Sequence, residues 1–150
     1  MERMSEFLSE NYVTTILFVC GGNLDFDLIS QELKFSSATV IRKDEVTASC
    51  LANDITNDSP RRLNLDRWSR TLTDEQLKWN VEKQLECWTQ ILHPFHKAFQ
   101  AFKDKGYWIS IDCQVTSKDS QAPLIQFQLT KEIQLKLSQL GLDVTFTIYT

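Results

Sequence analysis

The sequence lacks the short motifs that mark common catalytic and nucleotide-binding sites. It contains no GxSxG nucleophile motif and no glycine-rich phosphate-binding loop. Gly21 and Gly22 precede a predicted helix, but the rest of a dinucleotide-binding fingerprint is missing. These absences argue against the common hydrolase and nucleotide-binding classes, and no cofactor is expected. A catalytic group assembled from distant residues stays open, because neighbours in space need not be neighbours in sequence.

Paired cysteines and long apolar runs are also missing. Cys20, Cys50, Cys87 and Cys113 form no CxxC pair and lie in apolar surroundings. This usage is typical of reduced, buried thiols in a cytoplasmic protein, although a disulfide pair is an open alternative. The apolar stretch at residues 15–20 is too short for a signal sequence or a membrane span. We therefore expect a cytoplasmic protein with no membrane attachment.

Basic residues are not in excess. The net charge is −4, from 20 acidic and 16 basic residues. Non-specific binding of nucleic acid depends on a basic face, so nucleic acid is a disfavoured partner. An acidic protein meets a basic protein more readily, because complementary charge speeds the encounter. The length of 150 residues predicts a single domain over residues 1–150, with a frayed or briefly helical start at residues 1–11.

Residues 73–106 carry the strongest helical pattern in the chain. Thr73 and Gln76 fit a capping box at its start, and Gly106 fits its end. Pro94 clashes with the turn before it, so we expect a kink there within one long helix. The apolar stripe recurs at steps of three and four residues and consists of Leu77, Val81, Leu85, Trp88, Leu92, Phe95, Phe99 and Phe102.

Two shorter helices are predicted from their caps and apolar faces. The first follows Asn23 or Asp25, and the second runs from Thr130 to Gly141. Their inward residues are Phe26, Ile29 and Leu33 in the first helix, and Ile133, Leu137 and Leu140 in the second. The strand at residues 61–72 alternates weakly and is expected at a sheet edge. The other predicted strands are residues 12–20, 38–42, 47–51, 107–115, 123–129 and 143–149.

The order of these elements predicts an α+β fold. Hairpins and helices in this order favour a two-layer sandwich. One layer is a mixed, mostly antiparallel sheet. The other contains the long kinked helix and the two short helices, all on one face.

Asp25, Asp27 and Arg42 are the first candidate site residues. A carboxylate pair two residues apart can hold a hard cation or act as acid and base, but Asp near a helix start more often caps the helix. Arg42 ends a predicted strand and suits anions such as phosphate or carboxylate. A charged strand end is the plainer interpretation. Further arginines that can join this edge are Arg61, Arg62, Arg67 and Arg70.

Two tryptophans are candidate anchors for a protein partner. Trp68 is isolated in a polar segment, and Trp79 falls off the apolar stripe of the long helix, so it is expected to be exposed. Aromatic anchors beside carboxylates are typical of protein interfaces. The nearby acids are Asp66, Asp74 and Glu75.

His93 and His96 share a helix face but lack further ligands nearby in sequence. Half of a metal site is one interpretation of this spacing. We favour two ordinary histidines near the kink at Pro94, and no metal site is predicted.

Several short motifs resemble a bacterial domain-of-unknown-function family, number 4279. The motifs are the run at residues 22–33, the run at residues 38–45 and the isolated Trp68. The chain departs from the usual pattern at Ala38, where proline is common, and at Asp44, where glycine is common. The resemblance spans about residues 13–149 and implies an α+β fold without a known activity. Residues that fit the pattern are Asp25, Asp27, Ile29, Ser30, Thr39, Arg42, Lys43 and Glu45.

Three hypotheses of function follow. The first is a non-enzymatic protein-binding domain, such as an immunity or antitoxin-like partner of a basic toxin, with Trp68 and Trp79 in its interface. The second is a small-ligand or anion-binding domain, or an enzyme, that uses Asp25, Asp27 and Arg42. The third is a structural domain that self-associates through an exposed strand edge.

Overall fold

The computed structural model describes residues 11–43, 65–117 and 128–149. The strands are β1 (Asn11–Gly21), β2 (Thr39–Ile41), β3 (Asp66–Thr71), β4 (Trp108–Ser117) and β5 (Asp143–Tyr149). The helices are α1 (Phe26–Glu32), α2 (Val81–Leu92), α3 (His96–Asp104) and α4 (Lys131–Leu140). Short 3-10 turns occur at Gln76–Lys78 and His93–Phe95.

The strands form one mixed sheet, which confirms the α+β class. The strand order is β2-β3-β1-β4-β5. Strand β2 pairs antiparallel with β3, and β4 pairs parallel with β5. Parallel neighbours need a crossover connection, and α4 lies in the chain between β4 and β5. Our prediction that the strand now seen as β3 lies at a sheet edge is wrong. It lies between β2 and β1. The weak alternation of this polar segment does not indicate that Asp66 and Trp68 are buried.

The long helical segment begins later than predicted. Thr73 and Gln76 do form the expected capping box, with reciprocal hydrogen bonds of 3.0 and 3.3 Å. That box precedes only the first 3-10 turn, and Asn80 caps α2 by accepting the Lys83 N–H at 2.9 Å. The helical path from α2 to α3 is 24 residues long and passes Pro94 through the second 3-10 turn. Proline therefore interrupts the α-helical hydrogen bonding where predicted.

Most residues of the predicted apolar stripe are buried. Six of its members are buried, whereas Leu77 and Phe95 are half-buried. The path ends before Gly106, whose φ of 83° suits a residue without a side chain. The buried members are Val81, Leu85, Trp88, Leu92, Phe99 and Phe102.

The remaining caps also match the local sequence. Thr130 accepts the Ile133 N–H at 3.2 Å, and Gly141 ends α4 in the left-handed conformation. Ile133, Leu137 and Leu140 are buried, as predicted. Strands at residues 47–51 and 123–129 were also predicted, and they lie outside the described residues except for Gln128 and Leu129. Those two residues are in no strand. The predicted frayed start at residues 1–11 also lies outside the described residues, apart from Asn11.

The chain divides into two compact units. The first unit contains the chain up to Leu17, Thr71–His96 and Ser110 onward. The second unit contains Phe18–Arg70 and Lys97–Ile109. Each has its own set of buried apolar side chains, with Trp88 largest in the first and Trp68 largest in the second. The expectation of one domain stays a prediction.

Gln84 is the central polar residue of the first unit. Its side chain is fully buried. Its Oε1 accepts the Thr15 N–H at 3.2 Å and the Thr15 hydroxyl at 2.8 Å. Its Nε2 donates to the carbonyls of Val13 at 2.9 Å and Trp79 at 2.8 Å. The Thr15 hydroxyl also accepts the Trp88 indole N–H at 2.9 Å. One amide thus joins β1, α2 and the turn before α2.

Cys113 is buried, as expected for a thiol in apolar surroundings. Burial, with a further contribution from the Asp112 carboxylate, raises the pKa of the Cys113 thiol to about 12. Burial also raises the pKa of Cys87, which is half-buried. Cys20 is half-buried, and Cys50 lies outside the described residues. A thiol with a raised pKa is a poor nucleophile near neutral pH.

Replacing Gln84 with alanine should destabilise the protein by about 3 kcal/mol, because several buried polar groups lose their partner. Urea denaturation followed by tryptophan fluorescence measures the change. Gln90, which is exposed on the same helix, provides the control. Gln90→Ala should change stability by less than about 0.5 kcal/mol. Equal effects of the two variants would contradict a structural role for the Gln84 network.

Candidate functional site

The buried carboxylate of Asp66 organises the second unit. Asp66 begins β3 and is only 2% exposed. Its Oδ1 accepts the Lys43 N–H at 2.8 Å. Its Oδ2 accepts the Leu24 N–H at 3.1 Å and an Nη1–H of Arg42 at 3.2 Å. Three donors from two separate parts of the chain therefore converge on one buried charge.

These contacts control the ionisation of Asp66. Burial alone would raise the pKa of this carboxyl. The Lys43 and Leu24 N–H groups and the Arg42 guanidinium outweigh burial and hold the pKa below its ordinary value. Asp66 is therefore a carboxylate at neutral pH. A buried charge is tolerated only with such partners.

Arg42 is held in place while its side chain stays open to solvent. Its Nη1 also donates to the Leu24 carbonyl at 3.1 Å. Its guanidinium lies over the Phe26 ring, 4.2 Å from the ring centre. Even so, the Arg42 side chain is 55% exposed. The result is a cation of fixed position at the surface.

Asp25 and Asp27 lie at the start of α1. Asp25 is exposed and caps this helix, since its Oδ1 accepts the Leu28 N–H at 3.1 Å. Its backbone N–H lies 3.5 Å from the Tyr107 hydroxyl. Asp27 is also exposed and has no hydrogen bond or ion pair within the described part of the chain. Capping thus accounts for Asp25, and Asp27 lies in the first turn of α1, where a carboxylate complements the helix dipole.

Gly21 lets the loop before α1 pack closely. A Cβ atom at this position would lie 2.8 Å from the Leu24 Cδ2 atom and 3.2 Å from the Tyr107 ring. These distances are shorter than ordinary contacts, so a side chain here would require the Leu24 side chain and the Tyr107 ring to shift. Since the Leu24 N–H binds Asp66, the loop position and the carboxylate network depend on each other.

An open depression brings the predicted polar residues together. We call it the Arg42 depression. It has a volume of about 670 Å³ and belongs entirely to the second unit. Asp25, Asp27 and Arg42 all line it. The other lining residues are Asn23, Leu24, Phe26, Ser30, Ser36, Ser37, Ala38 and Val40.

Trp68 is a buried residue next to the Arg42 depression and not an exposed anchor. It is fully buried, packs against Phe35 with ring centres 5.8 Å apart, and donates its indole N–H to the Ser30 hydroxyl at 2.9 Å. It therefore offers no surface to a protein partner, and our expectation that Trp68 is such an anchor is wrong. The Phe35 ring and the hydrogen bond of the Trp68 indole N–H to Ser30 allow this amphipathic side chain to be buried.

Trp79 belongs to the first unit and is half-buried. The Lys83 ammonium lies 4.5 Å from the centre of its ring. Asp74 and Glu75 are exposed, but Asp66 is buried. The three acids expected in one surface patch therefore have different environments.

The histidine pair forms no recognisable metal site. His93 and His96 are both exposed, at the turn that contains Pro94. Within residues 11–43, 65–117 and 128–149, no group of three histidine, cysteine or acidic side chains is arranged to hold a metal ion. In the same residues, no helix is long and apolar enough to cross a membrane.

Sequence reasoning missed the role of Asp66. The signal was present, because alternation places Asp66 and Trp68 on the same side of β3. A tryptophan that packs inward predicts a buried neighbour, and a buried carboxylate needs donors. What the sequence could not supply was the identity of those donors. They lie 42, 24 and 23 residues away in the chain.

Asp66→Asn should destabilise the protein by about 2 kcal/mol at pH 7, because an amide cannot accept from all three donors. The lowered pKa of Asp66 means that its charge stabilises the fold above the ordinary value near 3.8 and that this contribution is lost as the pH falls below it. Denaturation at several pH values should therefore show the difference from wild type narrowing in acid. Asp74→Asn, at an exposed acid, should show neither effect.

Comparison with known proteins identifies the family. No curated protein and no solved structure matches the chain. The family model described as "Domain of unknown function (DUF4279)" matches residues 11–150. This match covers nearly the whole chain and confirms the resemblance found in its motifs. The chain therefore belongs to the DUF4279 family of domains of unknown function.

Proposed function

We propose that this domain binds a small polar ligand in the Arg42 depression. The supporting observation is that Asp25, Asp27 and Arg42 line one depression. The sequence pattern alone predicts these three residues as candidate site residues. A volume of about 670 Å³ is within the usual range of small-molecule sites.

The fixed position of Arg42 favours ligand binding. Its contacts with Asp66, Leu24 and Phe26 already restrict the side chain before a ligand arrives. A binding group that is already ordered loses less conformational entropy when it binds. The 55% exposure of the side chain leaves it accessible from solvent. Arg42 is therefore suited to orient a ligand.

Binding is better supported than acid–base catalysis. A general acid or base works best when its pKa lies near the pH at which it acts. The pKa of Asp66 instead lies below its ordinary value and so further from neutral pH. Its oxygens already accept hydrogen bonds from three donors. The network around Asp66 thus holds the site in shape and is not arranged for proton transfer.

A ligand of the depression should raise the melting temperature of the protein, because it binds only the folded state. Differential scanning fluorimetry with a panel of polar metabolites measures the shift. At a concentration about 100 times Kd, the stabilisation should be about 2.7 kcal/mol. Asp27→Ala should abolish the shift, whereas Asp104→Ala, at an exposed residue outside the depression, should retain it. A shift that survives Asp27→Ala would place the ligand elsewhere.

Protein binding is the second candidate, and strand β5 favours it. In the described part of the sheet, β5 is the last strand. Its Phe146 and Ile148 are 41% and 51% exposed, although their register partners Cys113 and Val115 in β4 are buried. An apolar strand at the end of a sheet is a favourable site for another chain to add to.

The net charge of −4 suits a basic protein as this partner. An immunity or antitoxin-like role would be one instance of such binding, and its partner would be a toxin. Self-association through the same strand is the corresponding alternative with a second copy.

Ile148→Lys should prevent capture of a protein partner, because it places a charge on the exposed apolar strand. The measurement is a pull-down from the lysate of the source cell, read by mass spectrometry. Gln139→Lys, an equal change of charge at an exposed position of α4, should retain the partner. If both variants capture the same protein equally, β5 is not the interface. Light scattering of the purified protein identifies self-association.

A further inference from the structure

The lining of the Arg42 depression restricts the chemistry of its ligand, and this inference rests on the function proposed above. Seven of its eleven lining residues are polar or charged. Most small-molecule sites are predominantly apolar with a few polar groups. A lining in which polar groups are the majority therefore points to a ligand with many polar groups of its own.

The lining presents both hydrogen-bond donors and acceptors. The carboxylates of Asp25 and Asp27 only accept, and the guanidinium of Arg42 only donates. The Ser30 hydroxyl accepts the Trp68 indole N–H, so its own hydrogen remains able to point at a ligand. A matching ligand must donate and accept at closely spaced positions. Hydroxyl groups on adjacent carbons do both.

The distribution of charge disfavours anions. The Arg42 charge is offset by Asp66, whose Oδ2 lies 3.2 Å from Arg42 Nη1. The carboxylates of Asp25 and Asp27 are balanced at the edge of the depression by two further cations, because Arg70 donates to the Ser37 carbonyl and hydroxyl and Lys43 donates to the Gly22 carbonyl. The site therefore has no net positive charge to attract an anion. A phosphate or carboxylate ligand would meet repulsion from Asp25 and Asp27. An uncharged hydroxyl avoids this repulsion and still forms a strong hydrogen bond to a carboxylate.

Cations fit the lining less well than hydroxyls do. Calcium takes six to eight oxygen ligands, and the described residues contain no cluster of three acidic, histidine or cysteine side chains arranged for a metal. An amine would find Asp27, but it would also meet the Arg42 guanidinium. An ammonium group only donates, so it could not accept a hydrogen bond from the Arg42 guanidinium, whereas a hydroxyl can.

An apolar surface lies beside these polar groups. Val40 is 45% exposed, and Phe26 is half-buried. One side of the Phe26 ring is covered by the Arg42 guanidinium. Sugar rings present C–H groups on their faces and hydroxyls around their edges, so they can contact apolar and polar surfaces together. From these observations we infer that the ligand is a neutral carbohydrate, a monosaccharide or a short oligosaccharide.

Saturation-transfer NMR followed by isothermal titration calorimetry tests this inference on the full chain. The sugar probes are glucose, galactose, mannose, N-acetylglucosamine, maltose and cellobiose. Putrescine and inorganic phosphate are the charged probes. At least one sugar should bind with a Kd of about 1 mM or tighter. Asp27→Asn should raise that Kd at least about tenfold, because the amide weakens a charged hydrogen bond. Asp104→Asn should leave it unchanged.

The outcomes separate this inference from the function on which it rests. Binding of putrescine or phosphate that Asp27→Asn changes, with no sugar bound, would overturn the carbohydrate assignment and retain a ligand site in the depression. Sugar binding unaffected by Asp27→Asn would overturn the assignment to this depression. If none of the probes binds, the carbohydrate assignment is overturned, and the thermal-shift panel of polar metabolites tests the small-ligand function separately.

Discussion

The hydrogen bonds of the buried Asp66 carboxylate are the interactions on which the second unit most depends. Asp66 lies at the start of β3 and holds the loop before α1 through Leu24 and the end of β2 through Arg42 and Lys43. A buried charge without partners would cost several kcal/mol, and buried N–H groups without acceptors would add to that cost. The position of Arg42, and therefore the shape of the depression, follows from satisfying this one charge.

The first unit satisfies its buried polar groups with a different side chain. Gln84 is neutral and both donates and accepts, so it can serve the carbonyls of Val13 and Trp79 together with the Thr15 N–H. A carboxylate could not bind those carbonyls. Around Asp66, by contrast, every group is a donor, and a carboxylate is the better partner. Each side chain thus matches the backbone groups that its neighbours leave unsatisfied.

Local sequence rules predicted much of the secondary structure, since the responsible contacts lie within a few residues. The caps at Thr130 and Gly141 and the interruption at Pro94 are of this kind. The Thr73 capping box shows where such rules end. Its hydrogen bonds formed as expected, yet the chain continued into a 3-10 turn and started α2 from a second cap at Asn80. A cap permits a helix to begin, but packing of the following residues decides whether it continues.

The candidate site was predictable in its residue types but not in its arrangement. Asp25, Asp27 and Arg42 could be selected because their charges lie near a predicted helix start and strand end. That Arg42 would be fixed by Asp66 depends on a contact between residues 24 positions apart, which no local pattern reports. Long-range contacts also explain why no local pattern indicates that Trp68 is buried. Its burial depends on Ser30 and Phe35, which are remote in sequence.

The ion pair of Arg42 and Asp66 also links binding to stability. Asp66 is buried, but the Arg42 side chain is 55% exposed, so water screens their attraction from one side. A ligand that covers Arg42 excludes part of this water, and the attraction between the two charges becomes stronger. By linkage, a ligand that favours the intact pair is itself bound more tightly when the pair is intact. Occupation of the depression would therefore reinforce the contacts that give the depression its shape.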